Sequence, residues 1–346
     1  MRTPRFIPAA SCCFVLLAAC GASQPSPAAT AAPPAPVASP ASGTAGGPDA
    51  TPPAAAASPA PAIALHDAFD AKQCYAYTAE IAGFGERWPG SPGHQKTEDL
   101  IHSVLKKDGG QVEGDDFTAQ TPRGPIAVHN IIGKFNVHAD PQQPIFILAG
   151  HYDTLFKPGF VGANDGASST AILLSFADAL AKQKTSTLQI WLVWTDLEEA
   201  INDFTDDDGL YGSKHLAKKL ATAGMVPRIK GFFLLDMIGD KDLGVDREGY
   251  STRWLQDFIS QAAKELGYEQ YFFQYQMDII DDHKSFLDVG IPAVDVVDAE
   301  YGRMGPQFDG MGEFHHQNTD TMDKVSQRSL EIVGRTILRT VELLDK

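Results

Sequence analysis

Disulfide cross-links are the first thing this sequence cannot supply. It has four cysteines, Cys12, Cys13, Cys20 and Cys74. The first two lie in a segment that reads as removed on export, and the third is expected to carry lipid. One thiol then remains, and one thiol closes no internal loop. The fold must stand on its apolar core, for which hydrophobic residues at 43% of the chain are ample. Positive charge is also scarce. Lys and Arg number 28 against 44 Asp and Glu, a formal net charge of −16. That balance excludes nucleic acid and anionic lipid as electrostatic partners and leaves carboxylates to serve cations. No internal repeat is present.

The N-terminus has the layout of an export signal. Arg2 and Arg5 form a positive region, and Ala9 to Ala19 an apolar one too short to span a bilayer as a stable helix. Leu17-Ala18-Ala19-Cys20 ends it with small residues before a cysteine. The pattern resembles the bacterial lipoprotein box, which implies a signal peptide over 1–19 and acylation of Cys20. An ordinary signal peptide cleaved nearby is the alternative. Attachment by more than one acyl chain is firm rather than reversible. Gly21, in place of Asp, suits outer-membrane sorting in a host with two membranes, so the expected location is the periplasm or outer membrane. Residues 20–62 are almost entirely Ala, Pro, Ser, Gly and Thr and read as a disordered tether. A single catalytic domain is expected over 63–346.

In that domain, apolar spacing predicts helices over 66–82 and 95–107, then strands over 111–118 and 128–135. Beyond them the chain alternates. Strands are expected at 145–149, 188–195, 231–236 and 293–297, and helices at 167–182, 212–223, 252–266 and 329–344. Short apolar strands alternating with helices predict an α/β fold, a three-layer α/β/α sandwich around a mixed, mostly parallel sheet. Ligands in such folds gather at the carboxyl ends of the strands. There the sequence places His151 and Asp153 after one strand, Glu198 and Glu199 after the next, and Asp236 at the end of a third. Asp165 lies in the loop after the first.

These residue types suit zinc, which takes imidazole nitrogen and carboxylate oxygen and keeps one position open when catalytic. Adjacent residues on a strand point oppositely, but at a strand end the chain turns. One of the Glu198-Glu199 pair can then bind metal while its neighbour faces substrate as general acid/base. Asp206-Asp207-Asp208 reads as a solvated loop, Trp191 and Trp194 as core, and Asp295 and Asp298 as structural. His215 reads as surface or interface, His283 as ordering its loop, and His94 and His129 have no evident partner.

Several segments together carry a family resemblance. They are Trp88-Pro89-Gly90-Ser91-Pro92-Gly93, Thr121-Pro122-Arg123-Gly124-Pro125, Gly150-His151-Tyr152-Asp153-Thr154 and Gly162-Ala163-Asn164-Asp165-Gly166. Glu198-Glu199-Ala200, Leu210-Tyr211-Gly212-Ser213, Leu235-Asp236-Met237, Asp281-Asp282-His283 and His316 with Asp320-Thr321 follow in order. From about Ala82 to the C-terminus the chain resembles the M28 zinc-peptidase superfamily, and within it the glutaminyl-peptide cyclotransferases (glutaminyl cyclases).

The resemblance implies Asp165, Glu199 and His316 as zinc ligands and Glu198 as general acid/base. Asp236 and Asp281 become a hydrogen-bonding carboxylate pair near the substrate. The expected reaction is conversion of an N-terminal glutamine to pyroglutamate on peptide or protein N-termini, with one zinc. In the dizinc aminopeptidases of the superfamily, positions like His151 and Asp236 bind a second zinc, with Asp165 bridging. Asp281, the 201–208 insert and the Thr121–Pro125 stretch favour cyclase. One position departs from the cyclase pattern: His315 stands where a pocket-wall Trp usually precedes the zinc histidine, and is assigned to substrate contact. A non-catalytic peptide-binding lipoprotein on the same fold is a third reading, and it would predict loss of Glu198 or of a ligand.

Overall fold

Asp70 and Ser91 set where the first two helices start. The Asp70 carboxylate accepts the N–H groups of Lys72 and Gln73 at 3.0 and 3.1 Å. The single helix expected over 66–82 therefore splits into a 3-10 turn, Leu65–Ala68, and α1, Ala71–Ala82. Ser91 accepts the His94 N–H, and Pro92 occupies the first turn of α2, Pro92–Asp108, so this helix begins ahead of the expected 95. The computed structural model describes residues 63–346 other than 186 and 309. The expected signal peptide, the lipidated Cys20 and the tether lie outside the described residues.

β1 (Gln111–Thr121) and β2 (Gly124–Phe135) form an antiparallel hairpin on a two-residue turn, longer than the apolar pattern indicates because its exposed end pairs as far as Thr121 and Gly124. There follow β3 (Ile145–His151), α3 (Ala167–Lys182), β4 (Gln189–Thr195), α4 (Tyr211–Thr222) and β5 (Ile229–Asp236). The remainder is β6 (Val245–Glu248), α5 (Arg253–Leu266), β7 (Phe272–Met277), α6 (Asp282–Asp288), β8 (Ala293–Val297) and α7 (Gln327–Leu344). β6, β7 and α6 were not expected. The strands are short, β7 is mostly exposed, and α6 is two turns long, so none shows a full period of apolar spacing.

Six strands make the central sheet in the order β1-β2-β4-β3-β5-β8. The β1·β2 and β2·β4 pairings are antiparallel, and β4·β3, β3·β5 and β5·β8 are parallel. The sheet is mixed and mostly parallel, as the alternation predicts. Along β3, Phe146 and Leu148 pack with α1, α3 and α7, while Ile145, Ile147 and Ala149 pack with α4 and α6. Period-two alternation thus divides the apolar residues between two cores, one on each face, and produces three layers. Trp191 and Trp194 are core residues, one on each side, and Cys74 is a buried free thiol. Among the described residues no helix is long and apolar enough to cross a membrane.

The chain leaves β3 for β4 on one side and later returns to β5 on the other. This reversal opens a crevice at the carboxyl ends of β3, β4 and β5. His151 ends β3, Thr195 ends β4 and Asp236 ends β5.

Candidate active site

Beyond the strand ends the backbone turns left-handed at residues that are not glycine. Leu197 follows β4 at φ 53°, Met237 follows Asp236 at φ 48°, and His316 itself sits at φ 55°. Such conformations cost about 1–3 kcal/mol each and persist only where the surroundings impose them. The turn at Leu197 breaks strand alternation after β4, and adjacent Glu198 and Glu199 both line one cavity of about 240 Å³. Asp165, Asp236, Asp281, His315 and His316 line the same cavity. Every residue assigned to chemistry from the sequence, apart from His151 behind it and Cys20, meets there.

Buried polar residues hold this arrangement. The Asp153 carboxylate accepts the backbone N–H of Glu198 at 3.1 Å and of Glu199 at 3.3 Å, fixing the turn that carries both glutamates. Asp320 does the same for the next loop, accepting from Asn164 at 2.9 Å and Asp165 at 3.1 Å, and it also accepts the Tyr301 hydroxyl at 2.6 Å. Arg87 is fully buried and donates to the carbonyls of Tyr152, Val161 and Gly162 at 3.0, 2.5 and 3.1 Å. Burial lowers its guanidinium to about 10, against the opposing pull of Asp165, Asp320 and Asp153. Two glycines permit the close approach. A side chain at Gly162 (φ +50°) would strike the Asp165 carbonyl, and one at Gly166 would lie 2.5 Å from His151 Nε2.

His151 is buried at the centre. Its Nε2 lies 3.2 Å from both Asp165 Oδ1 and Asp236 Oδ1, and its Nδ1 lies 3.5 Å from Asp153 and 4.0 Å from Glu198. Burial alone would lower this imidazole; hydrogen bonding to Asp153, Asp165 and Asp236 outweighs it and raises the group well above the ordinary range. His316 Nε2 stands 3.1 Å from Glu199 and 3.6 Å from Asp165 Oδ2. The His315 ring stacks on it at 3.7 Å.

Three observations fit this donor set to a cation. Asp165 Oδ2 and Glu199 Oε1 are buried without a hydrogen-bond partner, a costly state for carboxylate oxygens unless an ion completes them. Donor atoms of Asp165, His315 and His316 lie within 4.8 Å of one another. A second set, His151, Asp165 and Asp236, meets the same limit. Nitrogen and carboxylate donors in these numbers are the chemistry of a zinc site.

Proton-holding groups border the donors. Burial, and next the charge of Asp281, raises the Glu198 carboxyl well above the usual range. Burial, and next the charge of Asp236, does the same to Asp281. Asp236 Oδ1 accepts the Met237 N–H at 2.9 Å and the Ser169 hydroxyl at 3.4 Å besides facing His151. Phe204, Ile279, Ile280 and Met311 form the apolar walls.

Other polar residues find their places around this centre. His94 bonds Asp196 at 2.8 Å, and the His129 N–H donates to the same carboxylate. His215 stacks on Phe117 and bonds Asp115. Asp208 caps the backbone of Ile201 and Asn202. His283, expected to order its loop, lies in α6, buried 3.1 Å from Glu248 and 3.6 Å from Asp295 in a packed acid–base cluster. Arg87 and the bracing roles of Asp153 and Asp320 were not foreseen. A lone arginine inside an apolar-flanked Gly/Pro turn was the available signal for Arg87.

The chain matches the model of peptidase family M28 over residues 130–341. It is 31% identical to the glutaminyl-peptide cyclotransferase of Bos taurus over 280 residues, covering 70% of this chain and 77% of the bovine protein. The solved glutaminyl cyclase of an Acidobacteriales bacterium superposes with a TM-score of 0.76 at 38% identity, over 84% of this chain and 99% of that one. The glutaminyl cyclase of Porphyromonas gingivalis gives 0.72 at 28% identity, over 80% and 99%.

Proposed function

The chain belongs to peptidase family M28, in its glutaminyl-peptide cyclotransferase branch, and on that premise we propose that it cyclises the N-terminal glutamine of peptides and proteins to pyroglutamate with release of ammonia. The observation that carries this reading is Glu198. It is a carboxyl raised by burial and by the charge of Asp281, beside a cation-type donor set, in a cavity of about 240 Å³. We assign Asp165, Glu199 and His316 as the residues that would hold one zinc ion. A zinc bound there acts as a Lewis acid toward the γ-amide oxygen of the substrate.

The chain's own residues supply the remainder. Glu198 takes a proton from the α-amine as the amine nitrogen attacks the amide carbon and the ring C–N bond forms. It returns that proton to the side-chain nitrogen as the old C–N bond breaks and ammonia leaves. A carboxyl raised above its usual range by burial suits both halves of that exchange. The apolar wall of Phe204, Ile279, Ile280 and Met311 holds the glutamine curled against the carboxylates, which favours cyclisation over hydrolysis. Asp281, its carboxyl raised by burial and by the charge of Asp236, borders the substrate, and Asp236 remains in hydrogen bonds with Met237 and Ser169 and beside His151. His315 forms a polar wall in contact with the substrate.

The second donor set, His151 with Asp165 and Asp236, favours one rival: an aminopeptidase with two zinc ions sharing Asp165. Purified protein given Gln-2-naphthylamide and Leu-p-nitroanilide separates them. Pyroglutamyl product from the first with no nitroaniline from the second supports the cyclase. Nitroaniline without pyroglutamate overturns it. We further propose that Cys20 carries lipid and that residues 20–62 tether the domain to an outer membrane. Cys20→Ser should move the protein from the membrane to the soluble fraction.

A further inference from the structure

The catalytic cavity does not end at its apolar wall. Phe204 and Ile280 also line a second groove of about 640 Å³ that runs between α4 and α6. Both side chains are half exposed, at 48% and 50%, unusual for large apolar groups bordering a polar site. Each therefore forms a lip with one face toward the catalytic carboxylates and the other toward the groove.

Lysines lie on the far side of that lip. The cavity side presents Asp165, Glu198, Glu199, Asp236 and Asp281. The groove side presents Lys214, Lys218 and Lys284 against Asp206 and Asp288, a local excess of ammonium in a chain whose formal net charge is −16. Lys284 is paired with Asp288. Lys214 Nζ donates to the backbone carbonyls of Asp206 and Gly209, at 2.8 and 2.9 Å, and makes no ion pair among the described residues. Lys218, one turn further along α4, is exposed and has no ion pair among the described residues.

We propose that this groove binds the substrate chain beyond its N-terminal glutamine and selects acidic residues there. The proposal rests on the cyclase reading and names its substrate class. A peptide with acidic residues downstream of its glutamine matches the lysines it would meet in the groove. Its glutamine enters the acidic cavity, its second side chain crosses the lip between Phe204 and Ile280, and the following residues lie along Lys214 and Lys218. An extended chain advances about 3.3–3.6 Å per residue, so only a few residues past the lip need engage α4.

The test compares kcat/KM on three substrates: the dipeptide amide Gln-Phe, and hexapeptides that continue Gln-Phe with four Glu or with four Lys. Exposed ion pairs of this kind give about a fivefold to tenfold preference for the acidic peptide at low salt, shrinking toward parity as salt rises. In Lys218→Glu the acidic-to-basic ratio should fall several-fold. That ratio is internal to each protein, so partial loss of folding or general activity does not move it. Turnover of the dipeptide with equal rates on the two hexapeptides overturns the groove and leaves the cyclase reading standing. A preference unchanged in Lys218→Glu also overturns it. Failure to cyclise any of the three overturns the catalytic reading on which the groove depends.

Discussion

Asp320 grips Asp165 by its backbone: one Asp320 oxygen accepts the Asp165 N–H at 3.1 Å, while the other takes Asn164 and the Tyr301 hydroxyl. The side chain that carries the cation-type oxygens is thus aimed by a buried carboxylate in a segment 155 residues away. Asp320→Asn must set an amide NH2 against at least one of these donors. We expect zinc affinity to fall about 10–100-fold, as on loss of a group that orients a ligand. Chelator competition measures it, and unchanged affinity would remove Asp320 from the site.

Glu198→Gln keeps shape and removes the proton carrier. kcat should drop by about 10²–10⁴ with zinc content and melting temperature unchanged. Near-normal kcat would assign the proton transfer to another group.

Gly166→Ala introduces a methyl 2.5 Å from His151 Nε2. His151 must move, and with it the hydrogen-bonded contacts to Asp165 and Asp236. Displacements of about 1 Å at a reacting centre cost about 10²-fold in rate, which sets the expected loss of kcat/KM. Circular dichroism should show the fold retained. Full activity would mean that His151 is not held where it must be for function.

Asp298, just beyond β8, accepts the Gly244 N–H at 2.9 Å, and burial raises its carboxyl from 3.8 to about 8, helped by Asp240, Asp246 and Glu300. Between about pH 4 and pH 8 the folded protein therefore holds a proton that the unfolded chain has released. Stability contributed by that proton is complete below the unfolded value and is lost as pH rises through the folded one, by at most about 1.4 kcal/mol per pH unit for a single group. Asp298→Asn keeps an acceptor for Gly244 and removes the titration. Its melting temperature should vary less steeply than wild type from pH 4 to pH 8; parallel curves would contradict the assignment.

The sheet was legible because its strands are short, apolar and bounded by turns, and α3 and β8 fall within their expected limits. The ends of other elements shifted where a cap acts: Asp70 divides the first helix, and Ser91 starts the second early. The site was legible as a set of residue types at strand ends. What the residue order does not carry is three-dimensional bracing. Arg87, Asp153 and Asp320 act through backbone groups that are distant in sequence, and no local spacing marks such contacts. The left-handed turns at Leu197 and Met237 are equally hidden, because neither residue favours them. His315 is the reverse case: its departure from the family pattern is plain in the sequence, and its ring stacks on His316 in the structure.

Whether one zinc serves cyclisation is read by titrating metal-depleted protein with zinc while recording ammonia release from a Gln-peptide. Ammonia release should rise to its plateau at one equivalent of zinc per chain, with pyroglutamyl peptide as the product. A plateau reached only at two equivalents, with the peptide bond after the first residue hydrolysed and no ammonia formed, would contradict it.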